Sequence, residues 1–166
     1  MRIEPGSAKV SAAKSLGVCM ADAAPGRDEF AEYLSIQTRW ADMDAYGHVN
    51  NMVFYSYVDT AVTEYLIRKG GHDKDAAAAI GLVVESGCRY FKPLAFPHVV
   101  ECGLRVARLG RSSVRYEVGM FAAGADDPAA LGFFVHVFVD RESMRPTEMP
   151  PNIRAALEPL LVSETA

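Results

Sequence analysis

Arg39-Trp40-Ala41-Asp42-Met43-Asp44-Ala45-Tyr46-Gly47-His48-Val49-Asn50-Asn51 is the stretch where the chain changes its hydrophobic period. Upstream, Leu34, Ile36, Thr38 and Trp40 alternate with Ser35, Gln37 and Arg39, the period of a half-buried strand. Downstream, Phe54, Tyr57, Val58, Ala61, Val62, Tyr65 and Leu66 recur at spacings of three and four. Ser56, Thr60, Thr63 and Glu64 fill the opposite side, so this is an amphipathic helix of about four turns with one broad apolar face. Arg68 and Lys69 suit the negative end of its dipole, and Gly70-Gly71 stops it.

Working outward, the chain turns to sheet. Residues 82–91 read as a strand that ends before Pro93. Val100, Cys102, Leu104 and Val106 alternate with Glu101, Gly103, Arg105 and Ala107; a turn at Gly110 follows. Val114, Tyr116, Val118 and Met120 then alternate with Ser113, Arg115, Glu117 and Gly119. After a loop with Gly124, Asp126, Asp127 and Pro128, residues 131–139 are almost continuously apolar, which predicts a central strand buried on both faces. The tail predicts a short helix after Pro151, limited by Pro159.

The order strand, long helix, four strands predicts an α+β fold, with the helix along the concave face of a curled antiparallel sheet of about five strands. A half-covered sheet with open edges predicts self-association.

The whole chain sets limits. Its 166 residues suit one domain. A net charge of −4 disfavours nucleic acid as a partner, which calls for a basic face. Cys19, Cys88 and Cys102 are odd in number and form no CxxC pair, which predicts no disulfide framework and a reducing, cytoplasmic setting. No apolar run is long enough to span a bilayer. Residues 1–28, rich in Ala, Gly, Ser and Pro, read as a disordered leader or a misassigned start, and residues 29–166 as the folded domain.

Asp42, Asp44, His48, Asn50 and Asn51 gather at the strand-to-helix junction. A helix N-terminus offers unbonded N–H groups and partial positive charge, which can stabilise an oxyanion. A carboxylate just upstream can attack a carbonyl or activate water beside it. The same residue types are also ordinary capping and turn residues. His48, His72, His98 and His136 have no metal-binding spacing, which predicts no metal site. There is no GxSxG, P-loop or GxGxxG.

Residues 39–51, followed by Phe54 and Tyr57, resemble the signature of the 4-hydroxybenzoyl-CoA thioesterase-like hotdog family: Asp-x-Asp, then Gly-His-Val-Asn-Asn, then an aromatic helix start. Residues 90–97, 110–113 and 135–140 extend the resemblance, so it covers about residues 32–161. It implies the hotdog fold, a long helix wrapped by a curled sheet. It implies an acyl-CoA thioesterase with Asp44 as nucleophile or general base and the Asn51 backbone amide as oxyanion donor. His48 belongs to the same motif. No cofactor is implied, since coenzyme A is part of the substrate. The resemblance also implies a homodimer or homotetramer with active sites at the dimer interface. Phe54 departs from the family, where Tyr is common, so that hydroxyl's role is either lost here or moved to Tyr55.

Around this nucleus, Glu85 is a candidate to meet Asp44 across the interface, although an exposed strand residue is the plainer reading. Arg89, Lys92, Arg108 and Arg111 are candidates for the coenzyme A phosphates, or form a solvated basic edge. Phe54, Tyr55 and Tyr57 either line an acyl tunnel or belong to the core. Three functions stay open at this point: a thioesterase, a non-catalytic acyl-CoA-binding sensor or scaffold, and a hotdog dehydratase or hydratase. The dehydratase ranks last because no second acid–base pair is evident.

Overall fold

The computed structural model describes residues 24–71, 73 and 77–162. The leader reading therefore falls for its first 23 residues outside the described residues, as do Cys19 and His72. The elements are β1 (Glu32–Gln37), α1 (Asn51–Gly70), β2 (Ala79–Tyr90), β3 (Val99–Leu109), β4 (Ser113–Ala122), β5 (Ala130–Asp140) and α2 (Pro151–Leu157). The strands form one antiparallel sheet in the order β1-β3-β4-β5-β2. A single long helix against this curled sheet is the hotdog arrangement.

The periodicity of α1 explains its seat. Phe54, Tyr57, Val58, Ala61, Val62, Tyr65 and Leu66 are all buried. They meet the inward residues of β3 (Val100, Cys102, Leu104, Val106), β4 (Val114, Tyr116, Val118, Met120) and β5 (Phe134, Phe138) in one core. Burying each large side chain is worth about 1.5–3 kcal/mol, so the apolar face of α1 holds the helix in place. Gly132 lets the helix approach closely, since a Cβ there would collide with the Val58 side chain. At the far end α2 closes the core with Ile153 and Leu157, and Tyr65 donates to the Ala156 carbonyl at 2.6 Å.

The opposite face of the sheet is covered only in part. Phe30 seats over Gly103 and Gly119 and packs with Phe121 and Leu131. Arg27 bonds Glu101 and stacks on the Tyr33 and Phe121 rings, so contact with the sheet begins within the segment that composition assigns to the leader. β5 lies between β4 and β2, next to the edge strand rather than at the centre. It is not buried on both faces: Phe133, Val135 and Val137 are half-buried, because the cover over Leu131 does not extend along them.

Two bulges reverse side-chain direction. The pairing of β2 with β5 shifts between Val83 and Glu85, leaving Val84 as the extra residue. β3 shifts against β4 between Val106 and Arg108. Edge strand β2 leaves Val83 and Val84 exposed. No helix among the described residues is long and apolar enough to cross a membrane.

Candidate active site

The two aspartates of the motif have different surroundings. Asp42 closes a 3-10 turn (Trp40–Asp42) and is 2% exposed. It accepts from the Arg39 N–H at 2.7 Å, from the Arg39 guanidinium at 3.0 and 2.8 Å, and from the Tyr57 hydroxyl at 3.2 Å. Its carbonyl accepts from Asn50 N–H at 2.9 Å. Burial pushes the Asp42 carboxyl up, but the Arg39 hydrogen bonds and charge and the Tyr57 hydroxyl more than offset this, leaving it below the usual range. Asp42 is a strut tying β1, the loop and α1 together, with its hydrogen-bonding capacity spent on the fold.

Asp44 lies at the start of the loop's narrow tip, bounded by a bridge between Met43 and Val49. Its N–H donates to the His48 carbonyl at 2.7 Å, and one carboxylate oxygen, Oδ1, accepts from Tyr46 and His48 N–H at 2.8 and 3.1 Å. The backbone can turn here because Gly47 takes φ +78°, where L side chains are strained. The His48 N–H first, with those of Tyr46 and Gly47 and the nearby His48 side chain, lowers the Asp44 carboxyl against a smaller opposing effect of desolvation. Asp44 is therefore ionised at neutral pH. Among the described residues its second oxygen, Oδ2, accepts no hydrogen bond.

The helix start supplies the complementary group. Asn50 caps α1, its side chain accepting from Met52 N–H at 3.0 Å and its carbonyl from Val53 N–H at 2.9 Å. No acidic side chain occupies the first turn. The Asn51 N–H has no acceptor among the described residues. Asp44 and Asn51 share a cleft of about 340 Å³ with His48, Val49, Phe54, Tyr90, Phe91, Lys92 and Pro93. The Val49 N–H bond to the Leu94 carbonyl, 2.7 Å, brings the segment after β2 against the loop.

Of the sequence candidates, Asp44, His48, Asn51, Phe54 and Lys92 thus meet in one place. Lys92 also pairs with Asp127 at 2.8 Å. Phe54 is a buried wall residue. Tyr55 is exposed next to Tyr90, and Arg89 lies on the Phe91 ring just beyond the cleft. Glu85 does not face Asp44 within the chain. The β2 bulge sets it opposite Val135 on the outer face, 3.7 Å from Arg115. Arg108 and Arg111 are exposed at the far end of β3, whose other end pairs with β1 beside the Asp44 loop.

Sequence reasoning missed Tyr90 as a site residue. Its ring meets Phe54 edge-on at 5.1 Å, and its hydroxyl donates to the Asn51 carbonyl at 3.3 Å. The only signal was its place as the last residue of a strand, and its partner lies 39 positions away.

An ionised carboxylate with an unengaged oxygen, next to an unsatisfied N–H at a helix terminus, can perform acyl transfer to water. Among the described residues the thiols do not compete as nucleophiles: burial pushes Cys102 up to about 12, and it raises Cys88 as well. Among the described residues no group of three or more His, Cys, Asp or Glu could hold a metal ion.

Comparison with known proteins agrees with this fold. Residues 38–157 match the model of the thioesterase-like superfamily. The chain is 51% identical to the PA5185 protein of Pseudomonas aeruginosa strain PAO1, over 85% of this chain and 99% of that one, with a TM-score of 0.82. It is 34% identical to the PA2801 protein of Pseudomonas aeruginosa, over 75% of this chain and 95% of that one, with a TM-score of 0.69. A thioesterase from Thermus thermophilus, crystallised with coenzyme A and Zn, is 32% identical over 80% of this chain and 96% of its own, with a TM-score of 0.67. Among curated proteins none matches.

Proposed function

The chain belongs to the thioesterase-like superfamily, and on that premise we propose that it hydrolyses an acyl-CoA thioester to a free carboxylic acid and coenzyme A. One observation carries the reading: Asp44, ionised and with Oδ2 unengaged, shares a cleft with the unpaired Asn51 N–H. A thioester carbonyl oxygen that accepts from Asn51 turns its carbon toward Asp44. Oδ2 then either attacks that carbon, expelling the thiolate and leaving a mixed anhydride for water to open, or takes a proton from a water that attacks instead. Both routes pass through an oxyanion held at the positive end of α1. A thiol of ordinary acidity, near pKa ~8.5, departs as thiolate without an acid to protonate it. His48 positions Asp44 through its backbone.

The coenzyme A-bound relative supports coenzyme A as the leaving group. Lys92 lines the cleft and Arg89 lies just beyond it, which favours them for its phosphates, whereas Arg108 and Arg111 would serve only from a neighbouring copy. The open edge of β2, with Val83 and Val84 exposed, supports a homodimer or a homotetramer of such dimers, in which Glu85 also nears another copy. The free thiols of Cys88 and Cys102 support a reducing, cytoplasmic setting.

The test is a panel of aliphatic and aryl CoA thioesters assayed for thiol release. Turnover of one class names the acyl group. Tight binding of CoA esters with no thiol released from any would replace hydrolysis by the non-catalytic acyl-CoA-binding reading.

A further inference from the structure

Tyr90 has a position that the reading above leaves unused. Its hydroxyl donates to the Asn51 carbonyl at 3.3 Å, and its side chain lines the cleft shared by Asp44 and the Asn51 N–H. The N–H and the carbonyl of one residue are only a few ångströms apart. They point to opposite ends of the helix, but Tyr90, Asp44 and Asn51 line one cleft, so an oxygen seated on the N–H lies in the space that the Tyr90 side chain faces.

Three features make that hydroxyl available. Its bond to Asn51 is long for O–H···O, whose usual length is about 2.7–2.8 Å, so it is weakly held. The Asn51 carbonyl is not orphaned when it leaves, because α1 continues through Tyr55, whose N–H bonds four residues back. The ring meets Phe54 edge-on at 5.1 Å and 83°, and its exposure of 46% leaves it room to swing toward the N–H side of the cleft. Phe54 itself, buried in the cleft wall, has no hydroxyl to offer.

We propose that Tyr90 is a second oxyanion donor. As the thioester carbonyl oxygen gains charge, the Tyr90 side chain swings its O–H from the Asn51 carbonyl onto it, beside the Asn51 N–H. This rests on the hydrolase reading above. No proton is transferred: Tyr90 donates a hydrogen bond, and the thiolate leaves unprotonated. Desolvation, then the neighbouring Cys88 and Tyr55, hold the phenol well above its ordinary range, so it remains a donor at every working pH.

The test is Tyr90→Phe, which keeps the ring and removes the hydroxyl, with Tyr33→Phe as control. For Tyr90→Phe we expect kcat to fall about 10–100-fold, with KM within about threefold. Tyr33→Phe should remain within about threefold of the parent, since its hydroxyl bonds the Arg27 carbonyl away from the cleft. A second readout separates chemistry from architecture. A trifluoromethyl ketone analogue of acyl-CoA, which hydrates to mimic the tetrahedral intermediate, should lose affinity for Tyr90→Phe by the same factor as kcat/KM. A thioether analogue without a carbonyl should bind unchanged. Unaltered kcat in Tyr90→Phe, or equal weakening of both analogues, overturns the proposal while the hydrolase reading stands. A parent protein that cleaves no CoA thioester overturns both.

Discussion

Asp44→Asn and Asp42→Asn, made separately, should divide chemistry from architecture. Asn at position 44 can still accept the Tyr46 and His48 N–H bonds through Oδ1, and it places an amide nitrogen where Oδ2 has no partner. The fold should therefore be almost unaffected. An amide is neither a nucleophile toward a thioester nor a useful base, so kcat should fall by about 10²-fold or more, with KM little changed. At position 42 the same substitution removes the charge from a buried group that accepts from the Arg39 backbone, the Arg39 guanidinium and the Tyr57 hydroxyl. Losing such charge-assisted bonds costs about 1–3 kcal/mol, or about 3–10 °C in Tm for a chain of this length. The Arg39 side chain is 75% exposed and can turn to water, which places the loss in the lower half of that range. Thermal unfolding and thiol-release kinetics on both variants check this. Near-normal turnover in Asp44→Asn with an inactive but well-folded Asp42→Asn would refute the assignment of the two carboxylates.

The remaining predictions are more compact. Asp42 has a lowered folded-state pKa, so its stabilisation is complete above the unfolded value near ~3.9 and is lost as pH falls through the folded value; the gap in stability between the parent and Asp42→Asn should shrink in acid. Asp44 must be ionised to react, so the acid limb of kcat/KM should fall below the ordinary Asp range, and an acid limb well above that range would count against Asp44 as the reacting carboxylate. Gly132→Ala would drive a Cβ into the Val58 side chain, whose β-branch is stiff in a helix; a loss of about 1–3 kcal/mol in urea unfolding is expected, and an unchanged midpoint would show that α1 can shift at no cost. Light scattering at micromolar concentration should give at least twice the 18.1 kDa chain mass, and a monomer alone would count against pairing through β2.

Much of the fold was legible because burial acts on faces, and faces leave periods in the chain. All seven residues read as the apolar stripe of α1 are buried. The alternating inward sets of β3 and β4 are buried as read. The loop was legible for a local reason: Gly47 supplies the positive φ, Asn50 the cap, and Asp44 bonds amides two and four residues ahead.

Other features depended on pairings between distant residues. Counting by twos from Val83, which pairs with inward-facing His136, puts Glu85 inward; the extra residue Val84 turns it to the outer face. The same device turns Arg108 away from the inward face that Val106 occupies. The residues of β5 read as an all-buried strand, yet Phe133, Val135 and Val137 are half-buried, because cover comes from whatever packs across a strand rather than from the strand itself. Asp42 and Asp44 are equivalent as letters. They differ once Tyr57, fifteen positions on, donates to the first and leaves the second for the cleft. Tyr90 reaches Asn51 only because β2 runs back along the start of α1. Periodicity and turn chemistry are written into neighbouring residues, since solvent exclusion and backbone sterics act over one or two turns of chain. Which carboxylate stays open follows from where α1 places Tyr57, and which hydroxyl reaches the Asn51 carbonyl follows from where β2 places Tyr90.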